Sequence, residues 1–111
     1  MTVENLWFES DRCFIANQWV APQQGARLPL LDPSTGAELC SIARGGAGDV
    51  DAAVQQAEAA LSGPWGRMTA PERGRLLYRL GQLVLENTET LARLESLDVG
   101  KPLKQARADA V

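Results

Sequence analysis

The sequence predicts an α+β chain in which β-hairpins come first and amphipathic helices follow. Short strand-forming runs separated by turn signals occupy the chain up to Ala43, and Arg44-Gly45-Gly46 then punctuates it. Beyond that point apolar residues recur at helical spacing. At 111 residues the chain has the length of one domain, or of a piece of one.

Residues Arg12 to Val20 read RCFIANQWV, β-branched and aromatic enough for two strands. Ala16-Asn17 is the natural turn between them, because Asn tolerates the left-handed conformation that a tight hairpin needs. Pro22 to Ala26 is a loop, and Leu28–Leu31 is a short apolar strand. Asp32-Pro33-Ser34-Thr35-Gly36 ends that strand in a turn, with Pro presetting φ and Gly supplying a positive φ. Glu38 to Ala43 returns as the second strand of a hairpin.

After Gly46 the period changes to that of a helix. Val50, Val54, Ala57 and Leu61 share one face, and Asp49 and Asp51 stand near the positive end of the helix dipole. Ser62-Gly63-Pro64 stops it. Thr69-Ala70-Pro71-Glu72 has capping-box spacing, and Leu76, Leu77, Leu80, Leu83 and Val84 build the apolar face of the helix that follows. Asn87-Thr88 marks a break and a new cap. Leu91, Leu94 and Leu97 continue a stripe to Val99-Gly100, and Pro102 opens a last helix over Leu103 to Val111. That helix carries no stop signal, which predicts a truncated chain.

Net charge is −3 and histidine is absent. A nucleic-acid surface needs clustered positive charge, so none is expected as a partner. Arg67, Arg73, Arg75 and Arg79 form a local cluster that reads as a solvated helix face or a set of intersubunit ion pairs. No apolar run reaches the ~20 residues that span a bilayer, so no membrane is expected. The opening MTVENLWFES has neither the basic nor the apolar region of a signal peptide, which predicts a cytoplasmic location. Its ENLWFES segment is read as native sequence rather than a protease-tag scar, since Glu9 stands where such a site needs Gln. Cys13 and Cys40 lack the close pairing of a zinc or redox site and are expected to be buried free thiols. Gly46-Ala47-Gly48 starts like a dinucleotide-binding glycine motif, but Asp51 replaces its third Gly, so a loose loop is expected there. Gly100-Lys101 is followed by Pro and is no phosphate-binding loop.

Several of these stretches occur together in one known family. Phe14–Trp19 (FIANQW), Asp32–Glu38 (DPSTGAE), Asp49–Val54 (DVDAAV), Pro64–Met68 (PWGRM), Glu72–Leu77 (ERGRLL) and Leu94–Pro102 (LESLDVGKP) stand in sequence. By their order and spacing the chain resembles the amino-terminal region of the NAD(P)-dependent aldehyde dehydrogenases. It departs from the family pattern where Asn17 replaces a turn Gly, Asp32 an Asn and Val99 an Asn, and where Ala37 precedes the Glu. The resemblance covers Arg12 to Val111. It implies an N-terminal extension over 1–11 and, over 12–111, the first part of a cofactor-binding domain whose parent fold is doubly wound α/β.

The resemblance also implies what the parent does. Such enzymes oxidise an aldehyde to an acid: a Cys thiolate forms a thiohemiacetal, hydride passes to NAD or NADP, and water activated by a Glu hydrolyses the thioester. The motifs carrying the nucleophile, the catalytic Glu, the oxyanion donor and the nucleotide turn do not occur in these residues. Cys13 and Cys40 match the nucleophile in neither position nor context, and Glu38, Glu58 and Glu72 read as surface or capping carboxylates. No catalytic or cofactor-binding residue is therefore assigned. By resemblance, main-chain oxygens at Leu30 or Leu31 and at Asp98 are candidate ligands of a monovalent cation. The implied partners are an aldehyde and further copies of the parent, a homo-oligomer.

Two functions follow: an inactive amino-terminal segment of such an enzyme, or a stand-alone interaction module built from the same region. Either way the apolar stripes require covering. The chain alone is expected to be marginally stable, to associate, or to fold loosely.

Overall fold

The computed structural model describes residues 6–111. Residues 1–5, the first half of the stretch read for a signal peptide and the start of ENLWFES, lie outside the described residues. The element order is β1 (Cys13–Ile15), β2 (Gln18–Val20), β3 (Arg27–Leu31), β4 (Glu38–Ala43), α1 (Ala47–Ser62), α2 (Pro64–Arg67), α3 (Ala70–Glu86), α4 (Thr88–Val99) and α5 (Leu103–Asp109). The α+β class expected from sequence is the observed one. The chain divides into two compact units, one ending at Leu31 and resuming over Glu38–Arg67, the other made of Asp32–Ala37 and Met68–Val111.

In the first unit β1 and β2 pair antiparallel, with Phe14 opposite Trp19 and Ile15 opposite Gln18. Ala16 (φ 53°) and Asn17 (φ 60°) are both left-handed, as a two-residue hairpin turn with the twist of its strands requires. An Ala in that conformation costs roughly 1–2 kcal/mol. The Phe14 and Trp19 rings, 4.8 Å apart, help offset it as a cross-strand pair, and Phe8 stacks on Trp19 at 6.1 Å. β3 and β4 form the second hairpin, with Leu28 opposite Ile42 and an irregularity in register between Leu30 and Leu31. Ser10 lies along β4: its carbonyl accepts from Ala43 N–H at 3.0 Å, and its hydroxyl donates to the Ser41 carbonyl at 3.2 Å. Asp11 pairs with Arg27 at 2.7 Å.

Gly46-Ala47-Gly48, read from sequence as a loose loop, is instead the start of α1, with Gly46 as N-cap. Asp49 is the reason. Its carboxylate reaches back to accept from Gly46 N–H at 2.8 Å, and its other oxygen accepts from Gln23 N–H at 3.0 Å. It is 6 % exposed, so it acts as a buried anchor rather than only a dipole partner. After α1 the chain makes the single turn α2, which the sequence reading did not anticipate as a helix. Arg67 closes that corner, donating to the Ser62 carbonyl at 2.9 Å. At Gly66 an added Cβ would stand 1.6 Å from the Leu61 carbonyl oxygen, so only glycine allows this approach.

The second unit opens with the expected turn. The Asp32 carboxylate accepts from Ser34 N–H (2.8 Å) and the Thr35 hydroxyl (2.9 Å), and Gly36 takes φ 76°. At the start of α3 the capping-box expectation holds through Glu72, whose carboxylate accepts from Thr69 N–H at 2.7 Å and from its hydroxyl at 2.8 Å. Asn87 separates α3 from α4, and its side chain donates to the Leu83 carbonyl at 2.8 Å. Gly100 (φ 70°) ends α4 as a left-handed cap. Pro33 packs against that end, 3.2 Å from where a Gly100 Cβ would sit, so the Asp32 turn abuts the terminus of α4. Pro102 caps α5, and at its other end Ala110 N–H donates to the Ala106 carbonyl at 3.2 Å.

Candidate functional site

The groups that could carry chemistry are dispersed. Cys13 in β1 and Cys40 in β4 are free thiols, as expected, but half-buried rather than buried. Among the described residues no three His, Cys, Asp or Glu side chains gather to hold a metal ion. Glu38 and Glu58 are exposed, and Glu72 is occupied by its cap.

The candidate cation ligands lie in different units. Leu31 ends β3 opposite Glu38, beside the register irregularity, and Asp32 after it starts the turn. Asp98 is exposed in the last turn of α4, where a helix leaves carbonyl oxygens without intrahelical partners. Of the arginine cluster, Arg67 donates to the Ser62 carbonyl at 2.9 Å and Arg79 is paired with Glu86 at 3.0 Å, both within the chain.

The start of α1 does not fit a dinucleotide. The glycine-containing start of α1 follows an antiparallel hairpin, and its Gly46 N–H already serves the Asp49 carboxylate. A pyrophosphate placed there would meet that carboxylate. No step of a redox reaction is therefore derived from these side chains.

The structure offers an apolar surface instead. On α3, Leu76, Leu77, Leu80 and Leu83 are 48 %, 60 %, 57 % and 41 % exposed. Val50, Val54 and Leu61 on α1 are exposed as well. These are the stripes the helical period predicted, and within each unit they lie open. Among the described residues no large side chain is fully buried; the apolar side chains with no exposure are Ala92 and Ala106. A folded domain of this length normally buries many large side chains.

Three carboxylates of the second unit are ordered by hydrogen bonds. The Ser34 amide and Thr35 hydroxyl hold Asp32 below the usual carboxylate range, and the Thr69 amide does the same for Glu72. Glu89 is lowered to about 2 by its hydrogen bonds to Arg107 and then Arg93. No described helix is long and apolar enough to cross a membrane.

Residues 19–111 match the model of the aldehyde dehydrogenase family. The chain belongs to that family. It is 47 % identical over 94 residues to the mitochondrial aldehyde dehydrogenase of Rattus norvegicus, which takes in 83 % of this chain and 18 % of that one. Retinal dehydrogenase 2 of Mus musculus is 42 % identical over 104 residues, 92 % of this chain and 20 % of the relative. Among solved structures, a Burkholderia cenocepacia protein described as an aldehyde dehydrogenase is similar at 52 % identity and a TM-score of 0.86, over 87 % of this chain and 20 % of its own. The Bacillus cereus aldehyde dehydrogenase solved with NAD+ is similar at 39 % identity and a TM-score of 0.87, over 91 % of this chain and 21 % of its own. The chain therefore spans about a fifth of the length of these relatives. The hairpins and helices above are the amino-terminal part of an aldehyde dehydrogenase fold.

Asp49 as a double acceptor and the link between Glu89 and Arg107 escaped the sequence reading. The spacing of Asp49 three residues after Gly46 was a usable signal for the first. The second joins residues 18 positions apart and left no local trace.

Proposed function

We propose that this chain is the amino-terminal segment of an NAD(P)+-dependent aldehyde dehydrogenase and has no catalytic activity alone. In this reading α1 and α3 lay their apolar faces against later parts of the polypeptide, which supply nucleophile, general base and nucleotide site. The supporting observation is the combination of family membership over a fifth of the relatives' length with leucines of α3 open to water. The parent would oxidise an aldehyde to an acid with NAD+ or NADP+.

A chimera tests the proposal. These residues replace the equivalent ones of the Bacillus cereus enzyme, and aldehyde-dependent NADH formation is followed by absorbance. The expected result is an active, cooperatively folded chimera, beside a 111-residue chain that forms no NADH or NADPH. An insoluble or inactive chimera contradicts the assignment. So does turnover by the chain alone that Cys13→Ala or Cys40→Ala abolishes. A sharp thermal transition of the lone chain, monomeric and independent of concentration, would favour the stand-alone interaction module.

A further inference from the structure

Among the described residues β3 and β4 form a two-stranded sheet, so each strand has an outer edge. The Ala26 carbonyl accepts from Arg44 N–H at 2.9 Å, and Arg27 lies opposite Ala43. The alternation of antiparallel pairing then turns the main-chain groups of Arg27, Pro29, Ser41 and Ala43 outward. An outward row of amides and carbonyls is a template for pairing with another strand. On β3 the row is broken at Pro29, which has no N–H to offer. β4 has no proline, and its edge presents a donor at Ala43 and an acceptor at Ser41.

Ser10 occupies that edge. Its carbonyl accepts from Ala43 N–H at 3.0 Å, and its hydroxyl donates to the Ser41 carbonyl at 3.2 Å. The pattern is one rung of a parallel ladder, with the hydroxyl in the place of the Ser10 amide. Its neighbours hold Ser10 there. Phe8 stacks on Trp19 of β2 at 6.1 Å, and Asp11 pairs with Arg27 of β3 at 2.7 Å. Arg12 N–H then donates to the Glu9 carbonyl at 3.2 Å, which turns the chain away toward β1 after that single rung. Phe8, Ser10 and Asp11 are half-buried. All three stand ahead of the match to the family model, which begins at residue 19.

We propose that Ser10 is an edge guard: it closes β4 to strand addition, and without it the β4 edges of two copies of the chain pair with each other. A second copy fits because the edge is self-complementary. With Ser41 of one copy opposite Ala43 of the other, each amide donates to the carbonyl across a two-fold axis. β3 cannot serve in the same way, because Pro29 leaves a rung without a donor. The proposal concerns the first unit alone, and neither catalysis nor a nucleotide enters it.

The chimera with the Bacillus cereus enzyme tests it, because there the hairpin belongs to a complete polypeptide. A form lacking residues 1–7 keeps Phe8 and Ser10, and a form lacking residues 1–10 loses both. Analytical ultracentrifugation over a range of concentrations compares them. The first should sediment like the undeleted chimera. The second should form concentration-dependent assemblies of about twice its mass or more. Ser41→Pro, added to the second form, removes an outward amide as Pro29 does on β3 and should restore the original size. Unchanged size on loss of residues 1–10 overturns the proposal. So does association that Ser41→Pro leaves intact, since loosened packing rather than the edge would then cause it. The same series on the 111-residue chain, which need not be well folded, is read as the rate of assembly into thioflavin-binding β-structure. Assembly should be faster without residues 1–10 and slowed again by Ser41→Pro, and equal rates overturn the proposal. An undeleted chimera that fails to fold counts against the enzymatic assignment, and the series on the lone chain then decides on the edge.

Discussion

Leucines exposed on α3 should be far more costly to remove once the rest of an enzyme covers them. Leu77 and Leu80 are 60 % and 57 % exposed, so about two-fifths of each is already withdrawn from water. A fully buried leucine contributes about 1.5–3 kcal/mol. Truncating both to Ala in the lone chain should therefore cost only about 1–2 kcal/mol in total. In a covered core Leu→Ala costs about 2–5 kcal/mol, because a cavity adds to the transfer loss. Neighbouring truncations are not additive, so the double variant should lose at least ~3 kcal/mol in the chimera. Urea unfolding followed by far-ultraviolet circular dichroism on both proteins measures the difference. Equal losses in the two settings would show that the α3 face stays open in the complete enzyme, and the argument from exposure would fail.

Glycine positions give a contrast of sign. Gly66→Ala should destroy the α1–α2 corner, since its Cβ would stand 1.6 Å from a backbone oxygen, whereas Gly81→Ala meets open space within α3 and should stabilise that helix by about 0.5–1 kcal/mol; thermal melts of the two variants should move in opposite directions. Asp49→Ala leaves the Gly46 and Gln23 amides without their acceptor and should cost about 1–3 kcal/mol, seen as faster exchange at both amides. Glu89 titrates at about 2 in the folded chain against 4.5 for the free group, so its contribution is complete above pH 4.5 and is lost as pH falls toward 2. A carbon-detected titration of its carboxylate should find the low midpoint, and Glu89→Gln should flatten the stability profile between pH 4.5 and 2.

Much of the architecture was legible because its causes are local. Ala16-Asn17 turns between two short strands because the left-handed conformation there depends on two adjacent residues. Asp32 to Gly36 folds through hydrogen bonds spanning at most four positions. Thr69 with Glu72, Asn87 and Gly100 mark helix ends by chemistry contained within a turn or two. α2 escaped notice because one turn shows no periodicity, and its necessity lies in the approach of Gly66 to the Leu61 carbonyl. The start of α1 was misread because a glycine pair resembles a loop until a buried carboxylate organises its amides.

The sequence alone determined the order of the elements, the faces on which their apolar residues would gather, and the family to which those motifs belong. Local propensity, capping and periodicity act over a few residues, and a string of letters displays them directly. Only the tertiary structure decided which faces found partners: Ala92 and Ala106 are buried, whereas Leu76, Leu77 and Leu80 on α3 remain exposed. It also joined Glu89 to Arg107 and Asp49 to Gln23. Burial and charge pairing depend on what lies nearby in space, and distance along the chain does not measure that.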